Sequence, residues 1–293
     1  MKPLRIALIH YDTSRQFDRM TGFWAYEVPE FEFAHFGVSE HAELRRSQFA
    51  RDFDIIVRED HRNYGRVVND APIPLAYYVV DSTASEGHYQ TRCTHAARAD
   101  LILVEHDRLK RFEHLGPPVR RFGYCVNDRL FHDYGLEKTV DVGMYANPTP
   151  ARDRLMAWLR DFCERQGYTF DGGRRADRLV YAHGFNQTRL SINLSQTPTN
   201  RPHRVFDAMA CRTCLVTSRL PKVSGEAREA GEHYVEFDLY GWADDLGGIV
   251  DGLLATGGWR GIADAAHDLV HERHTWAVRA GELRQTFFEE FGL

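Results

Sequence analysis

The chain has 293 residues, 43% hydrophobic and 27% charged, with 37 basic against 42 acidic side chains and a formal net charge of −5. This is a globular composition with room for two domains of ordinary size, and it excludes a polycation that coats nucleic acid nonspecifically while leaving room for a local basic groove. No apolar window is long enough to span a bilayer.

The opening MKPLRIALIHYD is too short in its apolar part for a signal peptide, and Asp12 and Arg15 follow it too soon. It reads as a first strand, and the expected compartment is cytoplasmic. Five cysteines, Cys93, Cys125, Cys163, Cys211 and Cys214, offer no paired framework and fit a reducing compartment. Cys211 and Cys214 form a lone C-x-x-C with no second pair to complete four ligands, so no metal site is expected.

In the first half, strand-like runs at 5–10, 54–58, 75–80, 101–105 and 119–124 alternate with polar, charged stretches. Such alternation predicts an α/β domain with a parallel sheet over residues 1–133. Ligands of these sheets gather at the carboxyl ends of the strands. That rule selects His10, Tyr11 and Asp12, then Asp81 and Ser82, then Glu105 and His106. Among them Asp12, Asp81 and His106 have the chemistry of a catalytic base. No G-x-G-x-x-G follows the first strand and no G-x-x-x-x-G-K-[ST] occurs anywhere, which argues against dehydrogenase and P-loop readings. Arg108, Lys110, Arg111, Arg120 and Arg121 cluster further on. They read either as a solvated face or as a track for an anionic acceptor, nucleic acid included.

Residues 127–139 are polar and turn-rich, and the interdomain linker is placed there. A second domain over 140–293 opens with a strand at 140–145, a Pro-punctuated loop and a helix at 151–166. The loop sets Tyr145 and Asn147 at the carboxyl edge of a second sheet. Gly172-Gly173-Arg174-Arg175 reads as a phosphate loop or simply a flexible basic loop, and Tyr181-Ala182-His183-Gly184 as a loop approaching a cleft. A strand at 191–195 and a polar loop at 196–200 then lead into a helix at 202–211. Pro202 suits the first helical position and disfavours helical geometry at Arg201, the expected N-cap. On that helix His203 and Asp207 share one face, while Val205, Phe206, Met209 and Ala210 form the buried side. Arg201 and Arg204 gather at its start, which suits either a phosphate or an ordinary solvated basic end. A strand at 214–217 follows. From Trp242 the pattern is helical, closing with a helix at 275–291 capped by Thr275.

The stretch RVFDAMACRTCLVTS (204–218) resembles the R-x-F-E-A-M-A-C-G-x-x-x-L-x-[ST] signature of the CgeB-like, spore-maturation-type glycosyltransferases. Asp141-Val-Gly-Met, Gly231-Glu-His-Tyr-Val-Glu-Phe and His274-Thr275-Trp276 with Arg279 resemble three further segments of that family, in its order. The resemblance covers 141–293. It implies a GT-B fold, in which two Rossmann-like domains with parallel sheets face a central cleft and a C-terminal helix braces the first. It also implies a donor site of Tyr145, Asn147, Arg201, His203, Arg204 and Asp207 for a nucleotide sugar, a UDP-sugar foremost, used as cosubstrate with no cofactor or metal. Asp207 takes the place of the motif glutamate that meets the donor ribose in retaining relatives. Two positions depart from the pattern. Arg212 stands where the family has glycine, implying an altered turn or a narrowed site. Thr199 stands where retaining relatives carry a partner glutamate. The acceptor stays open among a small molecule, glycan, protein or modified nucleic-acid base, and a binding module without turnover is the alternative to an enzyme.

Overall fold

The structure is a computed structural model that describes residues 2–11, 27–38, 43–59, 67–79, 86–105, 109–175, 177–195, 202–222 and 228–293. Asp12, Asp81, Ser82, His106, Arg108, Thr199 and Arg201 lie outside the described residues. The chain divides into two compact units, Met1–Tyr124 with Trp276–Leu293, and Cys125–Thr275. The division falls a few residues before the stretch read as a linker, and the last helix joins the first unit.

In the first unit the elements are β1 (Leu4–Tyr11), β2 (Phe31–Val38), β3 (Leu44–Arg45), β4 (Ile55–Glu59), β5 (Val67–Val68), β6 (Leu75–Val79), α1 (Glu86–Ala96), β7 (Leu101–Val104) and β8 (Val119–Arg121). Six of the strands form one parallel sheet in the order β2-β1-β4-β6-β7-β8. Its inner strands are buried along nearly their whole length, as IIVR, LAYYV and LILV show. Burial on both faces is what turns a strand into a continuous apolar run rather than an alternating one. The sequence reading missed β2, an edge strand, because its FEFAHFGV alternates only loosely between covered and open positions.

The second unit contains β9 (Val140–Tyr145), α2 (Pro150–Gln166), β10 (Phe170–Gly173), α3 (Arg178–Gln187), β11 (Thr188–Asn193), α4 (Arg204–Ala210), β12 (Cys214–Ser218), β13 (Val235–Phe237), α5 (Trp242–Thr256) and α6 (Trp259–Arg273). Its five strands are parallel in the order β10-β9-β11-β12-β13. One apolar core joins α2, α5 and α6 to the sheet through Leu155, Leu159, Phe162, Leu246, Val250 and Trp259. The last helix, α7 (Trp276–Phe291), returns to the first unit. There Trp276 stacks on Phe31 with ring centroids 6.0 Å apart, and Phe287 meets the same ring edge-on. Among the described residues no helix is long and apolar enough to cross a membrane.

Two local expectations are corrected. Residues 181–184 are the interior of α3, whose N-cap Asp177 accepts the Val180 N–H at 3.0 Å, so they form no approach loop. Gly172 and Gly173 close strand β10, and Arg175 pairs with Asp171 at 2.5 Å, which takes up one of the two charges a phosphate loop would offer and leaves Arg174 exposed.

Candidate functional site

All strands of the second sheet run the same way, so their carboxyl ends open on one edge. The chain leaves β9 for β10 on one side and comes back to β11 on the other. Such a reversal of strand order leaves a crevice between β9 and β11, where open α/β sheets hold their ligands. Here α2 enters from β9, and Leu194 and Ser195 lie just beyond β11. A pocket of about 540 Å³ opens there, lined by Thr149, Pro150, Ala151, Arg152, Arg154, Leu194, Ser195, Leu239, Tyr240 and Trp242.

Part of this pocket's lining is cationic. Arg152, in the first turn of α2, is only 3% exposed. Its Nε donates to the Leu194 carbonyl at 3.1 Å and its Nη1 to the Asn147 carbonyl at 3.2 Å. No carboxylate pairs with it among the described residues. Burial, and then the neighbouring Arg204, lower its pKa to about 10, so it stays charged at neutral pH. A buried cation without a counter-ion is costly, and an anion entering the pocket relieves that cost. The helix end adds to this. Thr149 caps α2 by accepting the Arg152 N–H, and Pro150 has no N–H to leave unpaired, so among the described residues the Ala151 N–H is the donor left open. Ser195 also lines the pocket: it is 3% exposed, and its hydroxyl is buried with no hydrogen-bond partner among the described residues. The lining also has an aromatic and apolar part, Leu239, Trp242 and Tyr240, the last 84% exposed.

α3 and α4 bring Tyr181 and Arg204 close to Arg152. Arg204 Nη1 donates to Asn193 Oδ1 at 3.0 Å, and Asn193 Nδ2 donates to Thr217 Oγ1 at 2.8 Å, so the guanidinium is fixed from two strands of the sheet. Asp207 is buried in the first turn of α4. Burial holds the Tyr181 phenol far above its ordinary range, against the pull of Arg204 and with the help of Asp207, which places all three side chains together. His203 is the N-cap residue of α4 in helical geometry and makes no side-chain cap.

Of the expected donor-site residues, the structure thus brings Arg204, Asp207 and His203 to one helix end, beside Arg152. Asn147 is exposed and contributes its carbonyl to Arg152. Tyr145 points into the core instead. Its hydroxyl is shared among Asp171 at 3.1 Å, the Gly184 carbonyl at 3.1 Å and Thr188 at 2.8 Å, and the ring packs so closely on α3 that a side chain at Gly184 would collide with it. His183, in α3, lies edge-on to Tyr134 at 5.1 Å. Burial pushes the Cys214 thiol up to about 12 and Cys211 well above its usual value, so both are neutral thiols that pack a helix end and a strand. Arg212 does not narrow the site: it continues the turn in left-handed geometry, with its side chain paired to Asp133 and Asp264.

Sequence reasoning passed over Arg152, Ser195 and Tyr240. A signal for Arg152 was present, since a cation in the first turn opposes the helix dipole and is unfavourable unless an anion joins it. Ser195 and Tyr240 carry no such mark.

Residues 143–285, close to half of the chain, match the family described as glycosyl transferase-like. No curated protein matches the chain. Among solved structures, sucrose-phosphate synthase from Thermosynechococcus elongatus is 12% identical with a TM-score of 0.62, and the match covers 99% of both chains. Anabaena HepE, solved with UDP-glucose, is 14% identical with a TM-score of 0.63, covering 98% of this chain and 100% of that one. A Listeria monocytogenes protein described as a UDP-N-acetylglucosamine 2-epimerase is 11% identical with a TM-score of 0.58, covering 99% and 97%. At these identities the likeness is one of fold, the GT-B pairing of Rossmann-like domains.

Proposed function

We propose that this chain, a glycosyltransferase of GT-B architecture, moves a sugar from a UDP-sugar bound in the second unit to an acceptor hydroxyl. The observation that supports this most is the pocket at the reversal of strand order, whose lining combines a buried arginine with aromatic side chains. Arg152, buried with no carboxylate partner among the described residues, suits a diphosphate, and Tyr240 and Trp242 in the same lining suit a nucleobase. Transfer needs the departing diphosphate stabilised as the glycosidic bond breaks. Arg152 and Arg204, already fixed by protein contacts, offset the charge that grows on it. With both cations supplied by side chains, we assign a reaction independent of metal and of any resident cofactor. Asp207 receives the ribose hydroxyls, and its place in the motif shared with retaining relatives leads us to assign retention and the CgeB-like branch. His203 and Asn147 complete the donor contacts, with Arg201 assigned to the phosphate side. The base toward the acceptor is assigned among Asp12, Asp81 and His106.

The acceptor is taken to be a small molecule, glycan or protein. Two cations of the basic cluster are engaged internally, Arg111 over the Tyr89 ring at 3.8 Å and Arg120 with Glu290 at 2.5 Å, which weakens the case for a nucleic-acid track. The purified chain should release UDP from a nucleotide sugar, and acceptor panels including hydroxymethylated DNA should identify the substrate. Proton NMR of the product gives the anomeric configuration, and activity should survive a chelator. UDP binding without release of nucleotide under any acceptor would overturn the transfer reading, and interconversion of two UDP-sugars would replace it with epimerisation.

A further inference from the structure

The far ends of α3 and α4 meet one ammonium. Lys138 Nζ donates to the Phe185 carbonyl at 3.3 Å, to the Cys211 carbonyl at 3.0 Å and to Thr213 Oγ1 at 3.0 Å. Thr213 Oγ1 donates in turn to the Phe185 carbonyl at 2.6 Å. Phe185 belongs to the last turn of α3, and Cys211 is the C-cap of α4. Both carbonyls therefore sit where the negative end of a helix dipole collects, and one cation serves both. The opposite ends of the same two helices carry Tyr181, Arg204 and Asp207. The segment holding Lys138 is itself tied down, because Asn186 Nδ2 donates to the His132 carbonyl and its Oδ1 accepts the Tyr134 N–H.

We propose that Lys138 is a positioning residue for sugar transfer: by joining the carboxyl ends of α3 and α4, its ammonium sets where Arg204 and Asp207 stand against the donor. The inference rests on the donor reading of the site given above.

The ammonium is kept at a cost to folding. Burial lowers its pKa from 10.5 to about 8; the Asp133 carboxylate opposes the shift, Arg212 adds to it, and Cys211 beside it is a neutral thiol. These are the titratable and charged groups that face it, from the entering segment and from the turn after α4. Below pH 8 the lysine is protonated whether folded or unfolded. Between pH 8 and 10.5 the folded chain sheds a proton that the unfolded chain keeps, so this group adds stability as pH rises. Positioning runs the other way. The neutral amine has one N–H too few for its three acceptors and no charge for the two helix ends. Donor affinity should therefore fall through the same window in which stability rises, whereas a purely structural lysine would give no such opposition.

The test uses the full chain and UDP as probe, with titration calorimetry and thermal melting at pH 7 and pH 9. In the wild type, UDP binding should weaken about fivefold at pH 9 while the Tm holds or rises. Lys138→Arg, which stays charged, should bind within about twofold of wild type and show no pH effect. Lys138→Met should bind about tenfold more weakly at pH 7, again without the pH effect, and kcat should fall more than KM changes. Wild-type affinity in Lys138→Met, or an unchanged pH effect in Lys138→Arg, overturns the inference and leaves the donor reading standing. Should Lys138→Met not fold, the contrast between wild type and Lys138→Arg decides the matter. A wild type that fails to bind UDP at pH 7 overturns both.

Discussion

Among the helices that begin at the carboxyl edge of the second unit's sheet, α2 and α4 contribute in different ways. α2 runs for 17 residues, has proline first and is capped by the Thr149 hydroxyl. α4 runs for seven residues and starts without a side-chain cap. A long capped helix presents a dipole and free N–H groups, while a short one offers little beyond its side chains. The sequence drew attention to α4, because its arginines, His203 and Asp207 fall in a recognisable motif. The structure gives α2 the buried cation and leaves α4 the side chains beside it. Burial without a counter-ion, rather than the number of nearby arginines, marks the place an anion would take.

The comparison breaks most easily at Arg152. Arg152→Ala should weaken UDP binding about 100-fold, the loss of roughly 2 to 3 kcal/mol expected for a buried charge-assisted contact. Arg204→Ala should cost about tenfold, because Arg204 supplies charge from behind rather than lining the pocket. Arg152→Lys keeps the charge but cannot reach both the Leu194 and Asn147 carbonyls, so it should fall between wild type and alanine. Calorimetry on the three variants gives the order, and a larger effect at Arg204 would return the anion to α4.

A smaller effect is expected at the aromatic part of the pocket lining. Tyr240 is held out by Asp238, which accepts the backbone N–H groups of Tyr240 and Gly241 at 2.7 and 2.8 Å. Tyr240→Ala removes an exposed ring, so the Tm should not move. Loss of base stacking worth about 1 kcal/mol should weaken UDP about fivefold. Equal weakening of inorganic pyrophosphate binding would show that the ring does not meet the base.

The parallel sheets and most inner strands were legible in the sequence because burial on both faces writes itself as unbroken apolar runs, as in LAYYV and LILV. The α4 motif was legible for a different reason, since its signature survives as a string. The missed parts share a cause. β10 and β13 are short edge strands of mixed burial, and α3 begins with the exposed Leu179 and Val180, so neither shows a clean period. Arg152 and Ser195 are ordinary residues in sequence; their meaning comes from burial and from what fails to pair with them. Tyr145 shows the reverse case, a strand-end residue that the rule of carboxyl ends selects but that α3 covers.

The smallest expected effect tests how far α4 depends on its own ending. Arg212 has φ 51, a left-handed geometry that favours glycine, and the turn is closed by Arg212 N–H to the Met209 carbonyl at 3.0 Å and Thr213 N–H to Ala208 at 3.2 Å. The geometry costs arginine about 1 kcal/mol. Against that stand ion pairs to Asp133 at 2.9 Å and to Asp264 at 3.0 Å, partly exposed and worth about 0.2 to 1 kcal/mol each. Arg212→Gly exchanges one for the other, so the Tm should shift by less than about 3 °C and UDP affinity should not change. Arg212→Val keeps the strained backbone and loses the pairs, so it should destabilise the protein by about 2 kcal/mol. If Arg212→Gly instead abolished UDP binding with the Tm intact, the outer ion pairs would be setting the pitch of α4. The site would then depend on α4 as much as on the mouth of α2.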